Sequence, residues 1–178
     1  GFGTQFLDAN LDGEPDLVVG NGHLDDFSQK GIPFSMQPQL YLNTGAARFE
    51  ESVAENAGRY FEDEHIARGI STLDWNRDGL TDFAVSHLGE PVSLLSNDTA
   101  RHGHFVTIRL IGIQSGRDAI GATVAVTTSE STRWRHVTAG DGYSASNEKA
   151  LTFGLASDVA AKSVSIKWPN GELQYYPN

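Results

Sequence analysis

Two short segments concentrate oxygen-bearing side chains at matching positions. Residues 8–16 (loop 1) and 74–82 (loop 2) each carry Asp, Asn, Asp and Asp at positions 1, 3, 5 and 9, with Gly at position 6. Oxygen donors at this density require a compensating cation, and hard oxygen ligands favour Ca²⁺. Glycine allows a sharp turn, so the backbone carbonyl of position 7 can join the ligands. The predicted Ca²⁺ ligands are Asp8, Asn10, Asp12, Glu14 and Asp16 in loop 1, and Asp74, Asn76, Asp78, Leu80 and Asp82 in loop 2.

Two other interpretations of these loops are an EF-hand and a polar turn without metal. An EF-hand requires a bidentate Glu at position 12 and flanking helices, whereas position 12 is Val19 in one copy and Val85 in the other. Both loops lead directly into short apolar, β-branched stretches that are typical of strands. A polar turn without metal remains open for a single loop, because Asn, Asp and Gly favour turns. The agreement of two copies at five positions favours the metal site.

The rest of the chain has the pattern of an all-β protein. Alternating apolar residues predict strands at residues 16–20, 40–43, 69–73, 82–86, 92–96, 105–111, 123–127, 134–138, 150–154, 163–168 and 172–176. Short helical turns are predicted only at 51–57 and 157–161, and residues 22–38 read as a long loop. Residues 40–45 and 93–99 are similar to each other, and each stretch ends in Asn and Thr shortly after an acidic loop.

Composition limits the partners and the chemistry. The 178 residues include 13 Lys and Arg against 23 Asp and Glu, a formal charge of −10, which argues against binding to nucleic acid. No apolar run approaches the length of about 18 residues that a membrane span needs. The absence of Cys excludes disulfides and thiolate chemistry. Because weak Ca²⁺ sites are suited to millimolar Ca²⁺, the loops favour an extracellular or periplasmic location.

Several motifs resemble known families. Loop 1 with its flanks, residues 6–23, looks like an FG-GAP or VCBS repeat, the blade unit of integrin-type β-propellers. Residues 116–124, 140–144, 153–155 and 166–171 resemble the ASPIC/UnbV domain. The combination is similar to a cartilage acidic protein-like family of bacterial type.

The resemblance implies a fold and a domain division. We expect a partial β-propeller of about two FG-GAP/VCBS blades in residues 1–101, followed by a small β-sandwich-like ASPIC/UnbV domain in residues 102–178. A closed propeller needs about four to eight blades, so missing blades or self-association are expected.

Two classes of function remain. The favoured one is a secreted binding or adhesion scaffold with structural Ca²⁺ and an unknown protein or glycan partner, because the sequence shows no catalytic constellation. The alternative is part of an extracellular or biosynthetic enzyme acting on a glycan or small metabolite. A deep pocket with convergent acids and a strongly shifted pKa would favour the enzyme. The aromatic residues of the second half are expected to be core and hairpin side chains rather than a sugar platform: Trp134, Tyr143, Trp168, Tyr175 and Tyr176.

Overall fold

The structure is a computed structural model that describes residues 1–46, 48–100 and 103–177. Its described residues form antiparallel strands with three short helical segments. The strands are β1 (Thr4–Leu7), β2 (Asp16–Val19), β3 (Gln39–Asn43), β4 (Phe49–Glu51), β5 (Ala67–Leu73), β6 (Asp82–His87), β7 (Ser93–Leu95), β8 (His104–Arg109), β9 (Thr123–Thr127), β10 (Thr132–His136), β11 (Ala150–Ala156), β12 (Ser163–Lys167) and β13 (Leu173–Pro177). The helical segments are α1 (Ala54–Ala57) and two 3₁₀ turns, Ser28–Lys30 and Arg59–Phe61. The all-β prediction is therefore confirmed.

The strands pair into four sheets. Their orders are β1-β2-β3-β4, β5-β6-β7, β8-β11 and β10-β9-β12-β13. Every strand pair is antiparallel. The described strands do not close into a ring of sheets, so the propeller and its two blades remain a prediction.

Two apolar cores lie between these sheets. The first brings one face of β1 and β2 against β5 and β6, with Leu7, Val18, Ile70 and Val85 buried and Phe61 packed beside them. The second is formed by alternate residues of β9, β11 and β12, including Val124, Phe153 and Ile166. The predicted domain boundary, between residues 101 and 102, lies outside the described residues, and nothing in the fold tests it.

Local predictions were mostly confirmed at the level of elements. Each predicted strand overlaps an observed one, and β9 spans residues 123–127 as predicted. β1 and β4 were not predicted. The helical turn predicted at 51–57 is present as α1, whereas the one at 157–161 was wrong, because these residues form a turn and bends that lead into β12. Among the described residues, no helix has the length and apolar character needed to cross a bilayer.

Candidate metal-binding loops

Loop 1 is closed by buried carboxylates at its two ends. Oδ2 of Asp8 accepts a hydrogen bond from the backbone N–H of Gly13 at 2.9 Å. Asp16 accepts two, through Oδ2 from the N–H of Ala9 at 2.9 Å and through Oδ1 from the N–H of Asn43 at 2.8 Å. The Asp16 side chain thereby ties the start of the loop to strand β3.

Loop 2 repeats this pattern position by position. Oδ2 of Asp74 accepts from the backbone N–H of Gly79 at 2.9 Å. Asp82 accepts from the N–H of Trp75 at 3.0 Å and from the N–H of Asn97 at 2.8 Å. The two loops therefore share one hydrogen-bonding pattern as well as one sequence pattern.

The middle of each loop is also the same. In loop 1 the backbone N–H of Asp12 donates to Oδ1 of Asn10 at 3.1 Å, and Oδ1 of Asp12 accepts from the N–H of Glu14 at 2.8 Å. The equivalent distances in loop 2 are 3.1 and 2.8 Å. The position-4 residues Leu11 and Arg77 have φ angles of 64° and 60°, in the left-handed region. Asn at position 3 and Gly at position 6 make this tight path accessible.

Two asparagines outside the loops complete the pattern. The side-chain amide of Asn43 donates to the backbone carbonyl at position 8 of loop 1 at 3.1 Å, and that of Asn97 donates to the same position of loop 2 at 3.3 Å. The Asn97 amide also donates to the carbonyl of Ala9 at 2.9 Å, which joins loop 1 to the second sheet. The sequence similarity of residues 40–45 and 93–99 indicated that Asn43 and Asn97 occupy equivalent positions. It did not reveal the backbone carbonyl groups to which they donate.

Burial gives loop 1 an unfavourable charge balance. Asp8, Asp16 and Asp82 are 2, 1 and 0 % exposed. Burial, followed by the nearby charge of Asp12, raises the pKa of Asp8 to about 6. Burial also raises the pKa of Asp16 and of Asp82. Oδ1 of Asp8 is buried and has no hydrogen-bond partner among the described residues. An ionised carboxylate in this position requires a compensating charge. The nearby charge of Arg135 lowers the pKa of Asp8 and supplies part of it, and the cation of a Ca²⁺ loop would supply more.

The oxygen donors that could bind a hard cation in each loop are not limited to carboxylates. Within the described residues, no group of three or more His, Asp or Glu side chains is arranged to hold a metal ion. Ca²⁺ loops also use Asn side-chain oxygens and a backbone carbonyl, here that of Glu14 in loop 1 and of Leu80 in loop 2. A group made of His, Asp and Glu side chains alone does not include these donors. In each loop the predicted residues lie on one tight turn, and their role as metal ligands remains a prediction.

The C-terminal part of the chain covers loop 1. Nε of Arg133 on β10 donates to the carbonyl of Gly13 at 2.8 Å, and Nη2 donates to the carbonyl of Asp12 at 3.1 Å. The half-buried guanidinium also lies 3.9 Å from the Glu14 carboxylate. Gly154 packs against the Asp8 side chain so closely that a Cβ there would overlap Oδ2. These contacts, more than 100 residues apart in the chain, carry no local sequence signal.

Loop 2 has a different cover. The Phe105 ring packs directly on Gly79, where a Cβ would overlap it. The backbone N–H of Asp74 donates to the Glu148 carboxylate at 3.2 Å. The two loops are thus alike inside and differ in what lies over them: a guanidinium over loop 1 and an aromatic ring over loop 2.

A cleft of about 760 Å³ lies between β1 and β10. Its walls include Glu14, Asp74, Asp141 and Glu148. The carboxyl groups whose pKa is raised by burial, in Asp8, Asp16 and Asp82, are not among the residues lining it. The cleft and the acids with raised pKa are therefore separate features of the structure.

A cluster that the sequence did not indicate lies at one end of the first core. The rings of Tyr60 and His65 stack with centroids 4.3 Å apart, and the Tyr60 hydroxyl lies 2.9 Å from Nε2 of His87. Glu90 lies 2.9 Å from Nδ1 of His65, and this hydrogen bond is the main cause of the lowered pKa of Glu90. The cluster holds the segment after α1 against the loop after β6.

Comparison with known proteins shows which family the second half of the chain resembles. Residues 112–178 match the family model described as ASPIC and UnbV. This part of the chain is similar to the ASPIC and UnbV family. In the fold, the ASPIC/UnbV match begins just after β8 and includes β9 to β13, with Arg133 and Gly154, the residues that cover loop 1.

The curated relatives are all cartilage acidic proteins. The chain is 29 % identical to cartilage acidic protein 1 of Homo sapiens over 122 residues, covering 66 % of this chain and 18 % of that protein. It is 27 % identical to the Xenopus tropicalis protein of the same name over 169 residues, covering 93 % of this chain and 25 % of that protein. The chain thus spans about a fifth to a quarter of the length of these relatives.

Proposed function

We propose that this chain is a calcium-stabilised, β-rich interaction module of an extracellular or periplasmic protein. The single observation that carries the proposal is the buried Asp8 carboxylate at the first position of loop 1, whose Oδ1 has no hydrogen-bond partner among the described residues. Asp8, Asn10, Asp12 and Asp16 would hold one Ca²⁺ together with the carbonyl of Glu14. Asp74, Asn76, Asp78 and Asp82 would hold a second with the carbonyl of Leu80.

Calcium would act here as a structural ion. It would neutralise carboxylates that otherwise repel one another within a turn of nine residues, and binding to the folded state alone would add to the free energy of unfolding. The chain's own residues already fix the loop path through Asp16, Asp82 and the two asparagines on β3 and after β7. The ion would therefore stabilise a loop whose backbone path is already defined by the loop's own hydrogen bonds.

The interaction role rests on exposed surface. The outer face of sheet β1-β2-β3-β4 carries Phe6 and Phe49, 59 and 40 % exposed, with ring centroids 6.4 Å apart. Phe6, Leu17 and Tyr41 are paired in register across β1, β2 and β3, and Phe49 lies on the same face of β4, two residues before Glu51, the partner of Tyr41. Since the opposite face already packs on the first core, we propose that this face meets another β-sheet, from further blades of a longer protein or from a second copy of this chain.

The location follows from the calcium proposal and from the relatives. Low-affinity Ca²⁺ loops fill at extracellular concentrations. Similarity to proteins named for cartilage supports an extracellular home, and adhesion would follow if the exposed sheet face meets a partner.

A thermal melt with Ca²⁺, EGTA or Mg²⁺ tests the calcium proposal. Ca²⁺ alone should raise the melting temperature, by an amount equivalent to about 2.7 kcal/mol at a hundredfold excess over Kd. Asp12→Ala and Asp78→Ala should each reduce this Ca²⁺-dependent rise, because each removes one ligand. A loss of about 1 kcal/mol corresponds to roughly 2–4 °C for a chain of this size.

The control is Asp25→Ala. Asp25 is exposed and lies outside both loops, so this variant removes the same formal charge without removing a ligand. It should retain the full Ca²⁺ response. Equal responses in all three variants and the unmodified protein would contradict the proposal, as would a metal-free protein whose melting temperature ignores Ca²⁺.

A further inference from the structure

The sheet β10-β9-β12-β13 turns one face away from the second core. Val124, Val126 and Ile166 point into that core. The alternate positions of the same strands therefore form the opposite, outer face. Strand register arranges this outer face in three rows across the sheet: Thr132, Thr127, Ser163 and Pro177; Trp134, Ala125, Ser165 and Tyr175; His136, Thr123, Lys167 and Leu173.

The middle row has an unusual distribution of side-chain size. Trp134 and Tyr175 occupy the two edge strands and are 64 and 66 % exposed. Between them lie two small residues, the buried Ala125 (2 % exposed) and the half-buried Ser165, so the floor between the rings is low and Ser165 is its accessible part. Three strand spacings separate the aromatic positions, which corresponds to about 14 Å. Trp134 and Tyr175 are therefore exposed side chains of antiparallel strand pairs, which fits the hairpin part of the expectation and not the core part.

The outer rows supply hydroxyl groups and very little charge. Thr127 and Thr132 face each other with their Oγ1 atoms 3.1 Å apart, and Oγ1 of Thr123 lies 3.0 Å from Nδ1 of His136. None of the twelve positions is Asp or Glu, although the chain carries 23 acidic residues. Lys167 is the one position of the twelve with a permanent charge.

These features distinguish among possible ligands. A protein interface concentrates its large apolar side chains at its centre, whereas here they stand at the edges with small residues between them. One lysine on a chain of charge −10 does not suit nucleic acid or an anionic membrane. Sugar rings present flat C–H faces to aromatic rings and hydroxyl groups to Thr and Ser, and an oligosaccharide of a few units can bridge the two aromatics.

We propose that the outer face of this sheet binds an extended glycan chain, with sugar rings packed on Trp134 and Tyr175 and the intervening units lying over Ala125 and Ser165. The proposal deepens the interaction role inferred above. It uses residues separate from both acidic loops, so it can fail or hold independently of calcium.

The test uses the full chain and linear hexasaccharides in the presence of Ca²⁺. Cellohexaose represents a neutral glycan and hexagalacturonate an acidic one, and Trp fluorescence and calorimetry report binding. We expect binding to at least one of them, and Trp134→Ala and Tyr175→Ala should each weaken it by about tenfold or more. Tighter binding of the acidic chain would assign Lys167 a role in charge recognition.

Tyr176→Ala is the matched control. Tyr176 neighbours Tyr175 on β13 and is 53 % exposed, but it lies on the opposite side of the strand, so binding should be unchanged. Ser165→Arg provides a second approach, because a long side chain on the floor should block binding without removing an aromatic ring.

The outcomes separate this inference from the calcium proposal. Absence of binding to either hexasaccharide, or unchanged binding in the Trp134, Tyr175 and Ser165 variants, would overturn the glycan proposal, whatever Ca²⁺ does to the melting temperature. Glycan binding that persists in EGTA, without any Ca²⁺-dependent stabilisation, would support the glycan site and overturn the calcium proposal.

Discussion

The position-9 aspartates show that one residue can serve two purposes. Both oxygens of Asp16 accept backbone hydrogen bonds, one from the start of its loop and one from β3, and Asp82 does the same in loop 2. Each carboxylate oxygen has a second lone pair, so these bonds leave capacity for a metal. The aspartates thus set the loop path and also remain available as ligands.

The raised pKa of Asp8 gives a pH prediction for the Ca²⁺-free protein. Between the ordinary value of 3.8 and about 6, the folded protein binds this proton more tightly than the unfolded chain. The free energy of unfolding should therefore fall as pH rises through this window, by at most about 3 kcal/mol for Asp8. The shifts of Asp16 and Asp82 have the same sign.

Urea unfolding in EGTA across this pH range measures the effect. Asp8→Asn should flatten the profile, because the neutral amide has no charge to desolvate, and it should also weaken stabilisation by Ca²⁺. Saturating Ca²⁺ should flatten the profile of the unmodified protein, since the ion takes the place of the proton. A free energy that rises with pH through this window in EGTA would contradict the prediction.

At the scale of elements, strand β11 is shaped to fit loop 1. Its residue Gly154 lies against the Asp8 carboxylate and the Leu11 backbone, and the strand register shifts between Gly154 and Ala156. Ala156 then donates its N–H to the carbonyl of Leu11 at 3.3 Å. A side chain at residue 154 would separate the strand from the loop that it covers.

Gly154→Ala should therefore destabilise the protein by about 1–3 kcal/mol, because the added methyl group overpacks a rigid contact. Urea unfolding in Ca²⁺ measures the change. Gly116→Ala is the control, since a Cβ there meets no atom within 4 Å and the residue does not have positive φ. A Gly154 variant as stable as the Gly116 variant would show that loop 1 moves away from β11 without cost.

At the scale of the whole molecule, the C-terminal part acts as a cover for the acidic loops. Arg133 lies over loop 1, Phe105 over loop 2, and Asn147 on the segment before β11 joins the N-terminal strands by donating to Gln5 at 3.0 Å. The opposite exposed face of the first sheet, with Phe6 and Phe49, has no such cover among the described residues. The acidic loops are therefore covered, whereas Phe6 and Phe49 remain exposed.

Self-association through that first-sheet face is the corresponding prediction. Light scattering over a concentration series should show a dimer, and Phe6→Ser should weaken dimerisation by roughly 10- to 150-fold, since burying a Phe side chain is worth about 1.5–3 kcal/mol. Ile113→Ser is the control, because Ile113 is 97 % exposed but lies in the ASPIC/UnbV match. A chain that stays monomeric at every concentration would contradict the prediction.

Loops and strands with short, regular spacing could be predicted from the sequence, whereas contacts between residues far apart in the chain could not. Each loop's members and the β-branched strands after them were visible because their spacing is short and regular. β1 and β4 were missed because their burial does not follow polarity: β1 buries Gln5 and exposes Phe6, and all three residues of β4 are exposed. Arg133 contacts loop 1 from a distant part of the chain, and the row of Trp134 and Tyr175 depends on pairing across four strands. No spacing along the chain reveals either feature.

The bonds made by Asn97 have a practical consequence for producing the protein. Asn97-Asp98-Thr99 satisfies the Asn-X-Thr rule for N-linked glycosylation, yet the Asn97 amide nitrogen donates to Ala9 and Thr81 inside the fold. An attached oligosaccharide would remove one of these hydrogens and place a bulky group where loop 1 meets the second sheet. A eukaryotic secretory host that modifies Asn97 on the nascent chain is therefore expected to yield less stable protein, whereas a bacterial host without this modification avoids the problem.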